Sequence, residues 1–79
     1  MKTSTERLID YHLARLNDRD PQVRIKSINE LALLDAVGAL EALETVYRTD
    51  SEQSVRRAAQ IAGKKLYHVK RGQSSVHGG

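Results

Sequence analysis

A period of 32 residues organises this sequence. The dipeptide Val-Arg occurs at residues 23–24 and again at residues 55–56. The same shift aligns four further pairs of residues: Leu8 with Leu40, Tyr11 with Leu43, Asp20 with Glu52, and Leu34 with Leu66. Self-similarity at such a period is typical of solenoids, in which helix pairs stack and each pair buries its apolar face on a neighbour. The repeat therefore predicts an all-α fold of two stacked antiparallel helix pairs.

Capping signals and apolar periodicity predict where the four helices begin. Thr3 and Glu6 have the spacing of a capping box at the start of helix 1. Asp20 and Pro21 open helix 2, because Asp accepts hydrogen bonds from the free N–H groups of the first turn and Pro suits the first helical position. Asp35 is predicted to cap helix 3.

The predicted bounds define one domain at residues 1–71. Its two units lie at about residues 4–34 and 35–70, and helix 4 is predicted over residues 52–70. Residues 72–79 are rich in Ser and Gly, so they are predicted to form a disordered C-terminal tail. Two repeats leave both ends of the stack uncovered, whereas at least three are usually needed for stability. Apolar end faces and self-association as a homodimer are therefore predicted.

Charge is distributed unevenly along the chain. Residues 1–50 carry seven Lys or Arg against nine Asp or Glu, a net charge of −2, whereas residues 51–79 carry six against one, a net charge of +5. An acidic partner is therefore predicted to approach the C-terminal half. The absence of Cys excludes disulfides and thiolate metal sites. No apolar run approaches the roughly 20 residues of a membrane span, so a cytoplasmic protein without membrane contact is predicted.

The pattern of a short helix followed by a second one that opens on Asp-Pro-x-Val-Arg resembles the HEAT repeat, and most closely the HEAT-like repeat of phycobilisome lyases. The residues that carry the resemblance are Leu16, Asp20, Pro21, Val23, Arg24, Leu31, Leu34, Ala39, Leu40, Leu43, Val55, Arg56, Ala59, Ala62 and Leu66. The second unit matches better, because the first has Ser27 and Glu30 where the second has Ala. The resemblance covers residues 5–70 and implies a scaffold or interaction module.

The resemblance also implies roles for the two Val-Arg arginines. In such repeats the arginine bonds an acidic residue at the helix start of the neighbouring unit, for which four residues are candidates: Asp18, Asp20, Asp50 and Glu52. The second helix of each pair is expected to line the concave surface. A ridge on helices 2 and 4 is therefore predicted to bind a protein partner, through Arg24, Arg56, Arg57, Gln60, Lys64, Tyr67 and Arg71.

Two other interpretations of the basic face of helix 4 stay open. Cations on one ridge, with Tyr67 available to stack on a base, would also suit the phosphate backbone of a nucleic acid. The plainer interpretation is a solvated face, on which Lys and Arg complement the dipole at the helix C-terminus. A charged protein partner would use the same ridge equally well.

The sequence offers little for catalysis or for metal binding. His12, His68 and His77 have no ligand spacing with one another or with acidic residues, and His12 is predicted to be a boundary residue on helix 1. The serines lack a nucleophile elbow or a phosphate loop. Some lyase-type relatives transfer a chromophore, but this chain is too short for a tetrapyrrole cleft. No enzyme activity, metal or cofactor is predicted; a lyase or chaperone-like subunit is a third interpretation.

Overall fold

The structure is a stack of two helix pairs. The computed structural model describes the backbone of residues 1–75 and the side chains of residues 1–72. Its helices are α1 (Ser4–Arg15), α2 (Pro21–Leu33), α3 (Leu40–Thr49) and α4 (Gln53–Ser75), with a 3-10 turn (Val37–Ala39) before α3. Helices α1 and α2 form the first unit, α3 and α4 form the second, and the units meet mainly through α2 and α4. The predicted all-α fold is confirmed.

The first two helices begin where the capping signals predicted. The Glu6 N–H donates to Thr3 Oγ1 at 3.1 Å, and the Thr3 N–H donates to Glu6 Oε1 at 2.8 Å, which completes the capping box. At α2 the Gln22 N–H donates to Asp20 Oδ1 at 2.9 Å, and Pro21 is the first helical residue. Both helix starts therefore follow from local sequence alone.

Asp35 ends α2 and does not start α3, so the prediction for this residue is wrong. Its backbone is left-handed, with φ of 52°. The Ala36 N–H donates to the Leu31 carbonyl and the Asp35 N–H donates to the Ala32 carbonyl, both at 3.1 Å. This is the Schellman pattern, in which the left-handed residue is usually Gly. The chain then makes the 3-10 turn, and α3 begins at Leu40 without a side-chain cap.

Helix α4 is longer than predicted. It continues to Ser75, whereas the sequence pattern predicts an end at about Lys70. No Pro follows α4, so the local sequence contains no residue that must stop a helix. The rest of the predicted tail, residues 76–79, lies outside the described residues.

The hydrophobic core fills the space within and between the two units. Its buried members come from α2, α3 and α4, from the residue after α1 and from the segment before α3: Leu16, Ile28, Leu31, Ala36, Ala39, Leu43, Val55, Ala59, Ala62 and Leu66. Ala59 and Ala62 place small side chains at buried positions of α4.

The 32-residue period matches the starts of the second helices but not the buried positions of the first helices. Tyr11 was aligned with Leu43, yet the Tyr11 side chain is 52% exposed and Leu43 is 1% exposed. In α1 the buried position belongs to His12, which was predicted to lie at the boundary. His12 Nδ1 lies 3.1 Å from the buried Ser27 Oγ. Ser27 occupies the position of Ala59, and its hydroxyl supplies the partner that a buried imidazole needs.

Candidate functional site

Arg24 links the two units through a bidentate ion pair. Its Nε donates to Asp50 Oδ2 at 2.9 Å, and its Nη2 donates to Asp50 Oδ1 at 3.0 Å. Its Nη1 donates to the carbonyls of Asp18 and Arg19 at 2.8 and 3.1 Å. The Arg24 and Asp50 side chains are only 11% and 9% exposed. The predicted bond between Arg24 and an acidic residue of the next unit is confirmed, and it leaves Arg24 occupied inside the stack.

The pKa of Asp50 lies below the ordinary value of an aspartate. Burial alone would raise the pKa of Asp50, but a 3.0 Å hydrogen bond from the Glu52 N–H lowers it, as do the hydrogen bonds and positive charge of Arg24 and the charge of Arg56. The lowering contributions prevail, so the folded protein favours the ionised carboxylate.

This pKa shift predicts a loss of stability in acid. A carboxyl whose pKa is lowered by folding stabilises the protein fully above its unfolded-state pKa, and this contribution disappears as pH falls through the folded value. We expect the free energy of unfolding of the wild type to decrease below about pH 4, with a shallower decrease for Asp50→Asn. Urea titrations between about pH 6 and 2 measure this, with Glu44→Gln as a surface control. Parallel curves for wild type and Asp50→Asn would contradict the assignment.

Arg56 repeats the geometry of Arg24 but lacks its carboxylate. Its Nη1 donates to the Asp50 carbonyl at 2.7 Å, as Arg24 Nη1 donates to the Asp18 carbonyl at 2.8 Å. Among the side chains of residues 1–72, no carboxylate forms an ion pair with Arg56. By analogy with Arg24, such a carboxylate would come from a further unit stacked on α4. The Nε–Nη2 edge of Arg56 is therefore fixed in position and open.

The exposed side of α4 beside α3 carries several polar side chains. Three apolar positions of α2 have polar counterparts in α4: Ile25 aligns with Arg57, Ile28 with Gln60 and Ala32 with Lys64. Ile28 is fully buried, whereas Gln60 is exposed. This surface, hereafter the outer face, consists of Tyr47 of α3 with Arg56, Arg57, Gln60, Lys64 and Tyr67 of α4.

Two shallow grooves cross the outer face. The larger, about 480 Å³, runs between α3 and α4 over Leu40 and Leu43, and Glu41, Glu44, Lys64 and the two tyrosines also line it. The smaller, about 260 Å³, lies at the open edge of Arg56. Its lining combines one aromatic ring, two cations and two amides: Tyr47, Gln53, Arg56, Arg57 and Gln60. The grooves join an apolar floor to a polar rim, as protein-binding surfaces do.

Six of the seven residues of the predicted ridge lie on or beside the outer face. Arg56, Arg57, Gln60, Lys64 and Tyr67 lie together on the outer face, and the guanidinium of Arg71 lies 5.9 Å from the Tyr67 ring centroid. Arg24 is held in the ion pair between the units, and Arg56 contacts the same Asp50 through its backbone carbonyl.

Sequence reasoning missed the part of this surface that α3 contributes. Tyr47, Glu41 and Glu44 lie on α3, and they join the surface only because α3 packs beside α4. The sequence does contain one signal for an exposed surface on α4. Gln60, a polar residue, aligns with Ile28, which is buried in the first unit.

Other kinds of site find no support in the described part of the chain. Within it, no group of three or more His, Asp or Glu side chains is arranged to hold a metal ion. The helices described there are also too short or too polar to cross a bilayer.

Comparison with known proteins identifies the repeat. A family model for HEAT repeats matches residues 2–63. No curated protein and no solved structure matches the sequence. The lyase-type variant of the repeat stays a prediction, because the match is to HEAT repeats in general. HEAT repeats commonly mediate protein–protein interaction. With most of its length covered by that model and the repeat arginine paired across the unit boundary, the chain belongs to the HEAT-repeat family.

Proposed function

We propose that this protein is a protein-interaction module that binds carboxylate-bearing protein surfaces through its outer face. The observation that carries the proposal is the state of Arg56. Its Nη1 is held by the Asp50 carbonyl at 2.7 Å, while its Nε–Nη2 edge has no carboxylate among the described side chains. A planar guanidinium that is already oriented loses less conformational entropy when it binds a carboxylate in bidentate geometry.

The neighbours of Arg56 suit the same ligand chemistry. Arg57 adds a second positive charge at the smaller groove, and the Gln53 and Gln60 amides offer donors and acceptors beside it. Arg24 and Asp50 show within the same chain how a carboxylate sits on such an arginine, with two contacts of 2.9 and 3.0 Å. The proposed partner therefore presents an Asp or Glu side chain to Arg56.

The two tyrosines of the outer face supply apolar contact area. Tyr47 is 45% exposed and Tyr67 is 52% exposed, on opposite sides of the larger groove. Half-exposed tyrosines at a groove are characteristic of interface centres, because each ring buries a large area while its hydroxyl keeps a polar partner.

A protein fits this surface better than a nucleic acid does. Glu41 and Glu44 line the same groove as Lys64 and Tyr67. A phosphate backbone that followed the cations of α4 would therefore meet two carboxylates on α3, and like charges repel. A protein partner can match both signs of charge, with basic residues toward α3 and acidic residues toward α4.

A charge-reversal pair tests the proposal. We expect Arg57→Glu with Lys64→Glu to reduce capture of protein partners from cell extract by about tenfold or more. The two introduced carboxylates would repel an acidic partner. Arg7→Glu with Arg19→Glu, which changes the same charge at exposed positions of the first unit, is the matched control. Quantitative mass spectrometry of the captured proteins is the measurement.

The outcomes of this experiment are distinct. Proteins that are lost with the outer-face pair and retained with the control pair would support the proposal. Identical captured sets for the wild type and both variants would contradict it. Labelled duplex and single-stranded DNA are assayed in parallel by fluorescence anisotropy; binding that weakens steeply with added salt would favour the nucleic-acid alternative instead.

A further inference from the structure

We propose that one occupant of the outer face is the first unit of a second copy of this chain, stacked head to tail so that its Asp18 binds Arg56. This inference rests on the proposed function, because it uses the same surface and names the partner. In this arrangement the second copy follows α4 in the way that the second unit follows α2 within one chain. The contact that Arg24 makes with Asp50 would then recur between copies.

Asp18 has the local geometry that Asp50 uses to receive an arginine. Asp18 Oδ1 accepts from the Asp20 N–H at 2.9 Å, and Asp50 Oδ1 accepts from the Glu52 N–H at 3.0 Å. Both carboxylates are thereby fixed two residues ahead of a backbone donor. Asp50 is paired with Arg24, whereas Asp18 has no cationic partner among the described side chains.

The chain therefore carries the two unused halves of one interaction, and they belong to different units. Arg56 of the second unit lacks a carboxylate, and Asp18 of the first unit lacks an arginine. The net charges of the two parts of the chain are complementary, because residues 1–50 carry a net charge of −2 and residues 51–79 a net charge of +5. A two-fold dimer that joined two outer faces would bring basic surfaces together, so the charges favour the head-to-tail arrangement.

Leu33 gives a second reason to place the first unit on the outer face. Its side chain is 72% exposed. It aligns with Lys65, whose Nζ crosses the boundary between units and donates to the Ala32 carbonyl at 2.8 Å. A stacked copy would put its Leu33 in the corresponding place against α4, which removes apolar area from water.

The polar outer face sets how strong this contact is. Within the chain, Ile28 is buried in the core, but in the second unit the corresponding residue is Gln60. Covering Gln60 and Lys64 requires polar partners or water. We therefore expect association that depends on concentration and weakens with salt, because its main anchor is an ion pair.

Two variants test the stacking by complementation: one removes the Asp18 carboxylate of the first unit, and the other removes the Arg56 guanidinium of the second unit. Asp18→Asn removes the charge but keeps an oxygen that can accept from the Asp20 N–H. Arg56→Met removes the guanidinium, and Arg56→Lys is a milder second variant that keeps the positive charge but not the bidentate edge. Sedimentation equilibrium of the full chain at low salt gives the mass, and circular dichroism verifies that each variant folds.

We expect the wild-type mass to rise with concentration, and each of Asp18→Asn and Arg56→Met to weaken association by about tenfold or more. Arg56→Lys weakens it too. An equimolar mixture of Asp18→Asn and Arg56→Met chains restores a complex of two chains that grows no further, because the first supplies Arg56 and the second supplies Asp18.

Three results would overturn the inference: a wild type that is monomeric at every concentration, folded variants that associate like the wild type, or a mixture that stays monomeric. If protein capture still depended on Arg57 and Lys64 in any of these cases, the proposed function would stand with a different occupant. If self-association behaved as expected while extracts yielded no such capture, the second copy would be the partner that the outer face serves.

Discussion

Replacing Arg24 with Met lowers the free energy of unfolding by about 3 kcal/mol, because breaking a buried ion pair leaves its other charge without compensation. Here the uncompensated charge is Asp50, whose side chain is 9% exposed. The Asp18 and Arg19 carbonyls also lose their donor. Urea denaturation at neutral pH, followed by circular dichroism, measures the change.

The control for this prediction is Arg19→Met, which removes an exposed arginine from the loop before α2. We expect it to change the free energy of unfolding by no more than about 0.5 kcal/mol. The double variant Arg24→Met with Asp50→Asn recovers part of the loss, because neither charge then remains buried alone. Equal effects of Arg24→Met and Arg19→Met would show that the ion pair does not stabilise the stack.

Replacing Ile28 with Ala has an effect of similar size for a different reason. Ile28 is fully buried in the hydrophobic core. Truncation leaves a cavity and removes apolar contacts, which costs about 3 kcal/mol. The same truncation at the aligned position of the second unit, Gln60→Ala, changes the free energy of unfolding by no more than about 0.5 kcal/mol, because Gln60 is exposed.

Urea denaturation of this matched pair measures whether one repeat position is core in the first unit and surface in the second. Ile28→Val, with an expected loss of about 1 kcal/mol, serves if Ile28→Ala is too unstable to analyse. A loss of comparable size for Gln60→Ala would mean that the outer face is covered in solution under the conditions of the assay.

The fold was predictable because its signals are local or periodic. Thr3 with Glu6 and Asp20 with Pro21 begin helices through contacts within one turn, which sequence spacing alone reveals. The errors arose where tertiary contacts decide. Asp is a residue type that often caps a helix N-terminus. Asp35 instead adopts a left-handed backbone at the end of α2.

The first helices show the same limit, because a repeat register does not determine which face of a helix packs. Tyr11 aligns with the buried Leu43 but lies at the surface, and His12 takes the buried place because Ser27 offers it a hydrogen bond.

The candidate site was predictable in part. The repeat pattern identified Arg24 and Arg56 as a matched pair, and the structure confirms that Arg24 bonds an acid of the next unit. That Arg56 is open follows only from the distances around it. Tyr47 belongs to the candidate site because it lines the groove between α3 and α4. That groove depends on how the two helices pack, which neither helix sequence shows by itself.

The most direct test of the central claim compares the Nε–H resonances of Arg24 and Arg56 in one nuclear magnetic resonance spectrum as the protein is diluted. Arg24 is paired with the Asp50 carboxylate, whereas Arg56 has no carboxylate partner among the described side chains. We expect the Arg56 Nε–H and the backbone amides around Asp18 to shift together with concentration, and the Arg24 Nε–H to stay constant. A constant Arg56 signal, with shifts confined to the exposed Leu8 and Tyr11 or with no shifts at all, would contradict the claim.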